Sequence, residues 1–463
     1  MGGTINSKEI TSGQGTGTFR TNIANYSVIR LAWPIFLQML LAMSLGYADT
    51  AMMSHFSDVA VGAVGNANQV MGFLTLAFTI ISSASGVIVA QYLGAQKHDE
   101  MDTIYTVSVG FNLSLSIIIC LIVTIFSSFL LKVMHVPEVM IAESNRYMKI
   151  VGIFLFTDAV TNVFASIFHC NGNTILGLVI MFGMNFINIF GNYLFLYGPL
   201  SFLNLGVAGV AIATSASRIV GMITSYILFR KVIKGKIAIR YLKPFPKDIF
   251  VKLIKLGIPS AGENISYNIA QIIITIFVNT LGAVSITTKI YCNILCGFSM
   301  IFSNSLARAT SIITGHCVGA GDYDYAYRRV LKSLVIAMIA STLVAGLNLA
   351  LSPFTLRFFT ENQEIIALGK RIILVAFFLE FGRCVNLVII QSMRAAGDVV
   401  FPTVLGIGSM WGISVVFAWL LGIFLKFGLV GVWWAMTADE IFRAVVVLIR
   451  WKVGSWRGKS VVE

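Results

Sequence analysis

Asp49 is a carboxylate at the end of an apolar run, in Gly46-Tyr47-Ala48-Asp49-Thr50. In another apolar run Asn185, Asn188 and Asn192 recur at intervals of three and four, so a helix puts all three amides on one face. One titratable acid with neutral oxygen donors is what a proton or small-cation site needs, because the amide oxygens replace part of a cation's hydration. An ionisable group inside an apolar span is costly and marks a functional position by default. The same residues also suit a plainer arrangement, with Asp49 at the headgroup level and the asparagines as hydrogen-bonding glue between helices.

A second polar set begins at Pro259-Ser260-Ala261-Gly262-Glu263-Asn264 and continues with Tyr267, Asn268, Gln271, Thr275 and Asn279. Asn264, Asn268, Gln271, Thr275 and Asn279 form a single helical stripe, which on a membrane helix faces a partner or a water-filled cavity. Glu263 borders it, four residues past Pro259, and also suits the membrane interface. Glu380 and Arg383 lie one turn apart and are placed to pair, as are Asp439, Glu440 and Arg443. These are read as substrate-cavity or second coupling groups on one side, and as structural ion pairs that cancel buried charge on the other. Lys289 and Arg308 are intramembrane cations whose roles the sequence leaves open. His55, His98, His135, His169 and His316 fall near span ends and are expected at the interface.

Other chemistries lack their residues. There is no Gly-x4-Gly-Lys-Ser/Thr loop, no His-Glu-x-x-His and no nucleophile beside a base, so the chain reads as no enzyme and as no hydrolase of ATP. Any coupling must come from a Na⁺ or H⁺ gradient, with no cofactor. The six cysteines lie mostly in apolar runs and read as small buried hydrophobes. The net charge of +13 would suggest nucleic acid in a soluble protein; here it is better explained by cytoplasmic Lys and Arg.

The elements that position these groups are membrane helices. The 463 residues are 57% hydrophobic and 11% charged, against about 25% charged in soluble domains, and the mean hydropathy is +0.86. Apolar runs of membrane-spanning length predict twelve helices, near 29–53, 61–94, 104–131, 146–169, 175–197 and 206–230, then 252–281, 286–319, 328–352, 370–395, 401–424 and 428–450. The fold class is therefore all-α and polytopic. Residues 1–25, rich in Gly, Thr and Ser, read as a disordered cytoplasmic tail; 26–230 and 252–450 read as two lobes, 231–251 as a basic cytoplasmic linker and 451–463 as a cytoplasmic tail.

The two lobes repeat each other. Arg30-Leu31-Ala32-Trp33-Pro34 returns as Lys255-Leu256-Gly257-Ile258-Pro259, and Gln91-Tyr92-Leu93-Gly94-Ala95 as His316-Cys317-Val318-Gly319-Ala320, both 225 residues on. Near the end the offset falls to 222. Six spans per copy means both copies enter from the same side, so a pseudo-two-fold along the membrane normal relates them. With both termini inside and span-end residues given to the nearer side, cytoplasmic segments carry 20 Lys and Arg against seven outside. The repeat also exposes asymmetry. Asp49 matches Ile274, and Asn185, Asn188 and Asn192 match Met410, Ile413 and Phe417, so only the first copy has the acid-and-amide set. Asp158 occupies the repeat position of Arg383, which predicts a contact between them across the axis.

In its order of motifs the chain resembles the multidrug and toxic compound extrusion (MATE) family, in its bacterial, Firmicutes-like form. The residues that carry the resemblance are Pro34 with Tyr47-Ala48-Asp49-Thr50, Gln91-Tyr92-Leu93-Gly94-Ala95, and Asn188-x3-Asn192 followed by Leu196-Tyr197-Gly198. In the second copy they are Gly257-Ile258-Pro259-x3-Glu263-Asn264, Met393-Arg394-Ala395-Ala396-Gly397-Asp398 and Trp433-Trp434-Ala435-Met436-x2-Asp439-x3-Arg443. The resemblance implies two six-helix lobes around a V-shaped cavity and export of organic cations or other amphipathic compounds in exchange for Na⁺ or H⁺. The chain is therefore read as a plasma-membrane monomer, a multidrug or metabolite exporter of small amphipathic or cationic compounds that works by alternating access. It implies ion coupling at Asp49, shared with Asn188 and Asn192; some members carry Asp where Asn192 stands, so this site has one carboxylate fewer. A C-lobe coupling acid, where members have one, lies deeper in the seventh helix than Glu263 and nearer the end of the tenth than Glu380. The rival readings are a lipid-linked precursor flippase of the same superfamily and a non-transporting receptor or enzyme subunit.

Overall fold

The computed structural model describes residues 22–54, 57–134 and 136–462. Most of the expected N-terminal tail, His55 and His135 lie outside the described residues. The first copy comprises α1 (Val28–Ser54), α2 (Asp58–Gly94), α3 (Met101–Val133), α4 (Glu138–Ile153), α5 (Leu155–Cys170), α6 (Thr174–Leu196) and α7 (Val207–Leu228). The second comprises α8 (Lys247–Asn279), α9 (Ala283–Gly319), α10 (Tyr323–Phe359), α11 (Gln363–Ala395), α12 (Val400–Ser409, continued largely by wider π-type turns to Phe424) and α13 (Gly428–Val453). The protein is an all-α, polytopic membrane protein of twelve spans in two lobes. The repeat is visible in the helix ends: α2 and α9 coincide at both ends at an offset of 225, and so do α4–α5 and α11.

Two departures from the expected spans have local causes. The fourth span starts at Glu138 and is broken, α4 meeting α5 at a 49° bend around Phe154, where one straight helix was expected over 146–169. Gly152 stands beside the bend, packed so closely on Val123 that a Cβ would meet its methyl at 2.7 Å. Glycine weakens a helix locally, and the repeat position holds Phe377 in an unbroken α11. The linker, expected over 231–251, is ordered against the first lobe: the Lys236 amide and the Tyr241 hydroxyl donate to the Asp102 carboxylate, and α8 already begins at Lys247.

Nine described helices are apolar and long enough to cross a bilayer, or ten with the bent α4–α5 pair as one. The two that fall short, α8 and α13, carry Glu263 and the Asp439–Glu440–Arg443 set, polar groups that need a wet or paired environment rather than lipid.

Among the described residues the lobes share core packing at one end. There Val28, Leu31 and Ala32 of α1 enter the core of the second lobe with Leu306 and Ile313 of α9. Reciprocally, Ile249, Leu253 and Leu256 of α8 enter the core of the first lobe with Ile88 and Phe164. At the other end each lobe has a core of its own, around Phe78 and Tyr147 in the first and around Ile274 and Trp433 in the second. The molecule is thus a V, joined at the end that carries the basic linker and the C-terminal segment. The joint is a crossing of α2 and α9 so close that a Cβ on Gly94 would strike the His316 carbonyl, and one on Gly319 the Gln91 carbonyl. These two glycines occupy equivalent positions, as do Gln91 and His316.

Candidate functional site

The acid-and-amide set is assembled in the first lobe, where α1 packs on α6 and α6 on α7. Asp49 is 6% exposed, and Asn188 and Asn192 are fully buried. The Asn192 amide donates to the Asp49 carboxylate at 2.6 Å and lies 3.2 Å from the Asn188 carbonyl oxygen, which accepts from it. Asn188 in turn donates to the Thr214 hydroxyl at 3.1 Å, and that hydroxyl donates to the Val210 carbonyl. Asn185, the third member of the face, is turned to the Leu41 carbonyl of α1, more than two helical turns before the acid. The chain therefore runs Asp49–Asn192–Asn188–Thr214, with Asn185 beside it. Asp49 forms no ion pair among the described residues. The Asn192 side-chain oxygen is buried and accepts no hydrogen bond. A carboxylate and two amide oxygens, held by three helices, form a donor set suited to Na⁺, and the carboxylate alone suffices for a proton.

The second set divides. Glu263, Asn264 and Tyr267 line a cavity of about 1170 Å³ between the lobes, with Arg308, Gln391, Arg394 and Arg443 on its other walls. Asn268 donates to the backbone of Asn264, and neither Asn268 nor Gln271 lines this cavity, so the expected stripe contributes only its first member. Glu263 is paired with Arg394 of α11 at 2.5 Å. Glu380 and Arg383 are 3.4 Å apart, as their spacing suggests, and Ser303 donates to the same carboxylate at 2.6 Å. Glu380 lines a small pocket inside the second lobe; Arg383 lines that pocket and also a second space of the same lobe, beside Glu263 and Glu440.

Three expectations are corrected. Asp158 does not meet Arg383 across the axis: it pairs with Arg218 of its own lobe at 3.0 Å, while Arg383 is satisfied by Glu380 one turn away. A partner on a neighbouring helix of the same lobe is kept through any movement of the lobes, whereas one across the axis is not. His169 and His316 are buried rather than interfacial, the first bonded to Gln38 at 3.0 Å and the second to the Cys170 carbonyl at 2.8 Å. The segment after Trp451, expected as a tail, is folded beneath both lobes. Trp456 is buried and stacks on Trp451, Lys459 and Arg450 grip Asp398, and Val461 donates to the Gln91 side chain across the lobe interface.

The reciprocal bonds at the crossing are a functional feature that spacing within one copy could not show. Gln91 of the first lobe donates to the Ala395 carbonyl of the second at 2.6 Å, and His316 of the second meets the Cys170 carbonyl of the first. Gln91 and His316 are equivalent, and so are Cys170 and Ala395. The repeat offset, applied to polar residues near the crossing, is the signal that finds them.

Two helical lobes, joined at one end, with a polar cavity between them and an unpaired acid buried in one, have the architecture of a membrane transporter. The chain belongs to the MATE family: the MatE family model matches residues 34–194 and 259–420. Among curated relatives it is 36% identical to the uncharacterised transporter YisQ of Bacillus subtilis, over 94% of this chain and 96% of that one. It is 26% identical to the probable multidrug resistance protein NorM of Thermotoga maritima, over 94% of each. Among solved structures, a MATE transporter in the bent conformation superposes with a TM-score of 0.86 at 18% identity, covering 93% of this chain and 95% of the other. The family's members are transporters, not enzymes.

Proposed function

We propose that this protein is a secondary-active exporter of small molecules, driven by Na⁺ or H⁺ antiport, with the coupling ion bound at Asp49, Asn192 and Asn188. The observation that carries this is the buried Asp49 carboxylate, whose neighbour is a neutral amide and which forms no ion pair among the described residues. A charge so placed needs a counter-ion, and a proton or Na⁺ supplies one. Binding neutralises the acid on α1, and α1 also reaches into the second lobe at the crossing, so ion occupancy and lobe packing act on one helix.

The joined end carries the basic linker, which the charge bias assigns to the cytoplasm. The protein then lies in the plasma membrane with both termini inside, and the V opens outward, in the state that releases substrate and admits the driving ion. Relatives named multidrug resistance proteins support an amphipathic substrate. Glu263 and Glu380 are each paired with an arginine, which favours structural roles for them over coupling. The protein acts as a monomer, since each lobe finds its partner within the chain.

The test is dye efflux from proteoliposomes under a Na⁺ gradient or a pH gradient, imposed separately, with wild type and Asp49→Asn. Efflux driven by one gradient and lost in the folded variant supports the reading and identifies the ion. Equal transport by Asp49→Asn would remove Asp49 as the coupling group.

A further inference from the structure

Among the described residues, one cation of the cavity between the lobes has no partner. Arg308 lies in the interior of α9, eleven residues before Gly319 and therefore about 16 Å along the helix from the crossing. It lines the inter-lobe cavity and also the adjoining space of about 810 Å³ beside Gln38 and His169. The side chain is exposed, although Leu306, Ala307 and Ala309 around it are buried, so it reaches cavity space. It forms no ion pair and no hydrogen bond among the described residues. The other described cations of the cavity wall are matched, Arg394 by Glu263 and Arg443 by Asp439 and Glu440, and Arg383, outside that wall, is matched by Glu380.

The repeat sharpens the point. The equivalent of Arg308 is Ser83, which also lines both spaces, so the pseudo-symmetric pair presents one charge to the cavity and not two. Nothing in the packing of the lobes requires a guanidinium there. Gln391, at the junction of the same spaces, also makes no hydrogen bond among the described residues, leaving a donor beside the cation. The remaining walls are largely apolar, with Leu76, Ile80, Val87, Met300 and Leu387. An unpaired guanidinium with five donors, in a partly apolar cavity at membrane depth, suits a carboxylate or sulfonate far better than a cation.

We propose that the inter-lobe cavity binds amphiphiles that carry one acidic group, with Arg308 as the ionic partner of that group and Gln391 as a second donor. This rests on taking the cavity as the substrate site, and it replaces the expected cationic substrate with an organic acid. A single negative charge is the match, because a second would face the carboxylates of Glu263 and Glu440.

The test is equilibrium binding to the purified full-length protein in detergent, with dansyl-leucine as a fluorescent carboxylate and its methyl ester as a neutral twin. The acid is expected to bind about 10- to 100-fold more tightly than the ester, the range for a hydrogen bond to a charged group. Arg308→Ser, which gives α9 the residue its repeat partner already carries, removes that margin and leaves ester affinity unchanged, while Arg308→Lys keeps part of it. Equal affinities in wild type, or an acid preference undiminished in Arg308→Ser, would overturn the proposal; the wild-type ratio decides even if a variant does not fold. Binding needs no gradient, so the two readings fail separately. Cationic rhodamine efflux lost in Asp49→Asn, with acid and ester bound equally, keeps the exporter and rejects the organic acid. An Arg308-dependent acid preference with no gradient-driven movement of either probe does the reverse.

Discussion

Glu263 and Arg394 pair at 2.5 Å in the second lobe, at the positions where Gln38 and His169 hydrogen-bond at 3.0 Å in the first. Both bonds join the first helix of a lobe to the end of the helix that leads into the crossing. One copy uses a neutral bond, the other a charged one, and the geometry of the repeat is kept. This argues that the contact itself is structural and that its charge in the second lobe is balanced locally. Glu263→Gln leaves Arg394 without its counter-charge. We expect it to destabilise the protein by about 1–3 kcal/mol, less than for a deeply buried pair because both groups touch the cavity. The double variant Glu263→Gln/Arg394→His rebuilds the first-lobe pair and should recover most of that loss. Thermal unfolding in detergent, followed by fluorescence, measures both; a double variant less stable than the single would show that the two copies do not share this contact.

Along the chain Asp49–Asn192–Asn188–Thr214 the effect of substitution should fall with distance from the acid. Asn192→Leu removes the group 2.6 Å from the carboxylate and is expected to weaken the coupling ion about tenfold or more. Asn188→Leu removes the ligand farther from the acid and should cost less. Thr214→Val, three bonds from the acid, should shift the apparent ion affinity by no more than about threefold. The measurement is the Na⁺ concentration, or the pH, at half-maximal transport for each variant. A Thr214 effect as large as that of Asn192 would place the ion deeper than proposed.

The sequence made the helices legible because repeat and hydropathy constrain each other: an error in one copy shows as a mismatch in the other. The face shared by Asn185, Asn188 and Asn192 was legible for the same reason that any helical face is, since spacing fixes direction. Partners were less legible. Asp158 has a charged residue at its repeat position, which suggested Arg383, yet Arg218 on α7 is the one it reaches. Periodicity gives the side of a helix on which a residue lies, not which neighbouring helix stands there. The bend at Phe154 and the docking of Trp456 and Val461 depend on tertiary packing, which leaves only a faint mark in composition.

The docked C-terminal segment should hold the joined end shut. Ser460 and Val461 donate to the Gln91 side-chain oxygen, Lys97 donates to the Val462 carbonyl, and the same Gln91 bonds Ala395 across the interface. Removing residues 459–463 takes away the bonds of Ser460, Val461 and Val462 and the Lys459–Asp398 pair, while leaving Trp456 and the Gln91–Ala395 bond in place. At about 1 kcal/mol for each of two or three hydrogen bonds, the balance between closed and open at this end should shift by roughly 10- to 100-fold. Spin-label distances between the ends of α2 and α9 read the populations directly. Distance distributions unchanged by the truncation would reduce the segment to a structural appendage.

Gly94 and Gly319 set the closest approach of the lobes, and their substitution should act on that approach alone. Each lies against the backbone carbonyl of the other copy's Gln91 or His316 position, and backbone cannot swing aside as a flexible side chain does. A single methyl at either position therefore forces α2 and α9 apart, at an overpacking cost of about 1–3 kcal/mol borne only while this end is closed. Gly94→Ala and Gly319→Ala should each lower the closed population, with similar size because the positions are equivalent. They should leave the separate cores at the far end of each lobe undisturbed, so thermal stability falls little. Spin-label distances across the crossing again provide the reading, and a Gly94→Ala protein closed as fully as wild type would show that α2 and α9 do not limit the joint.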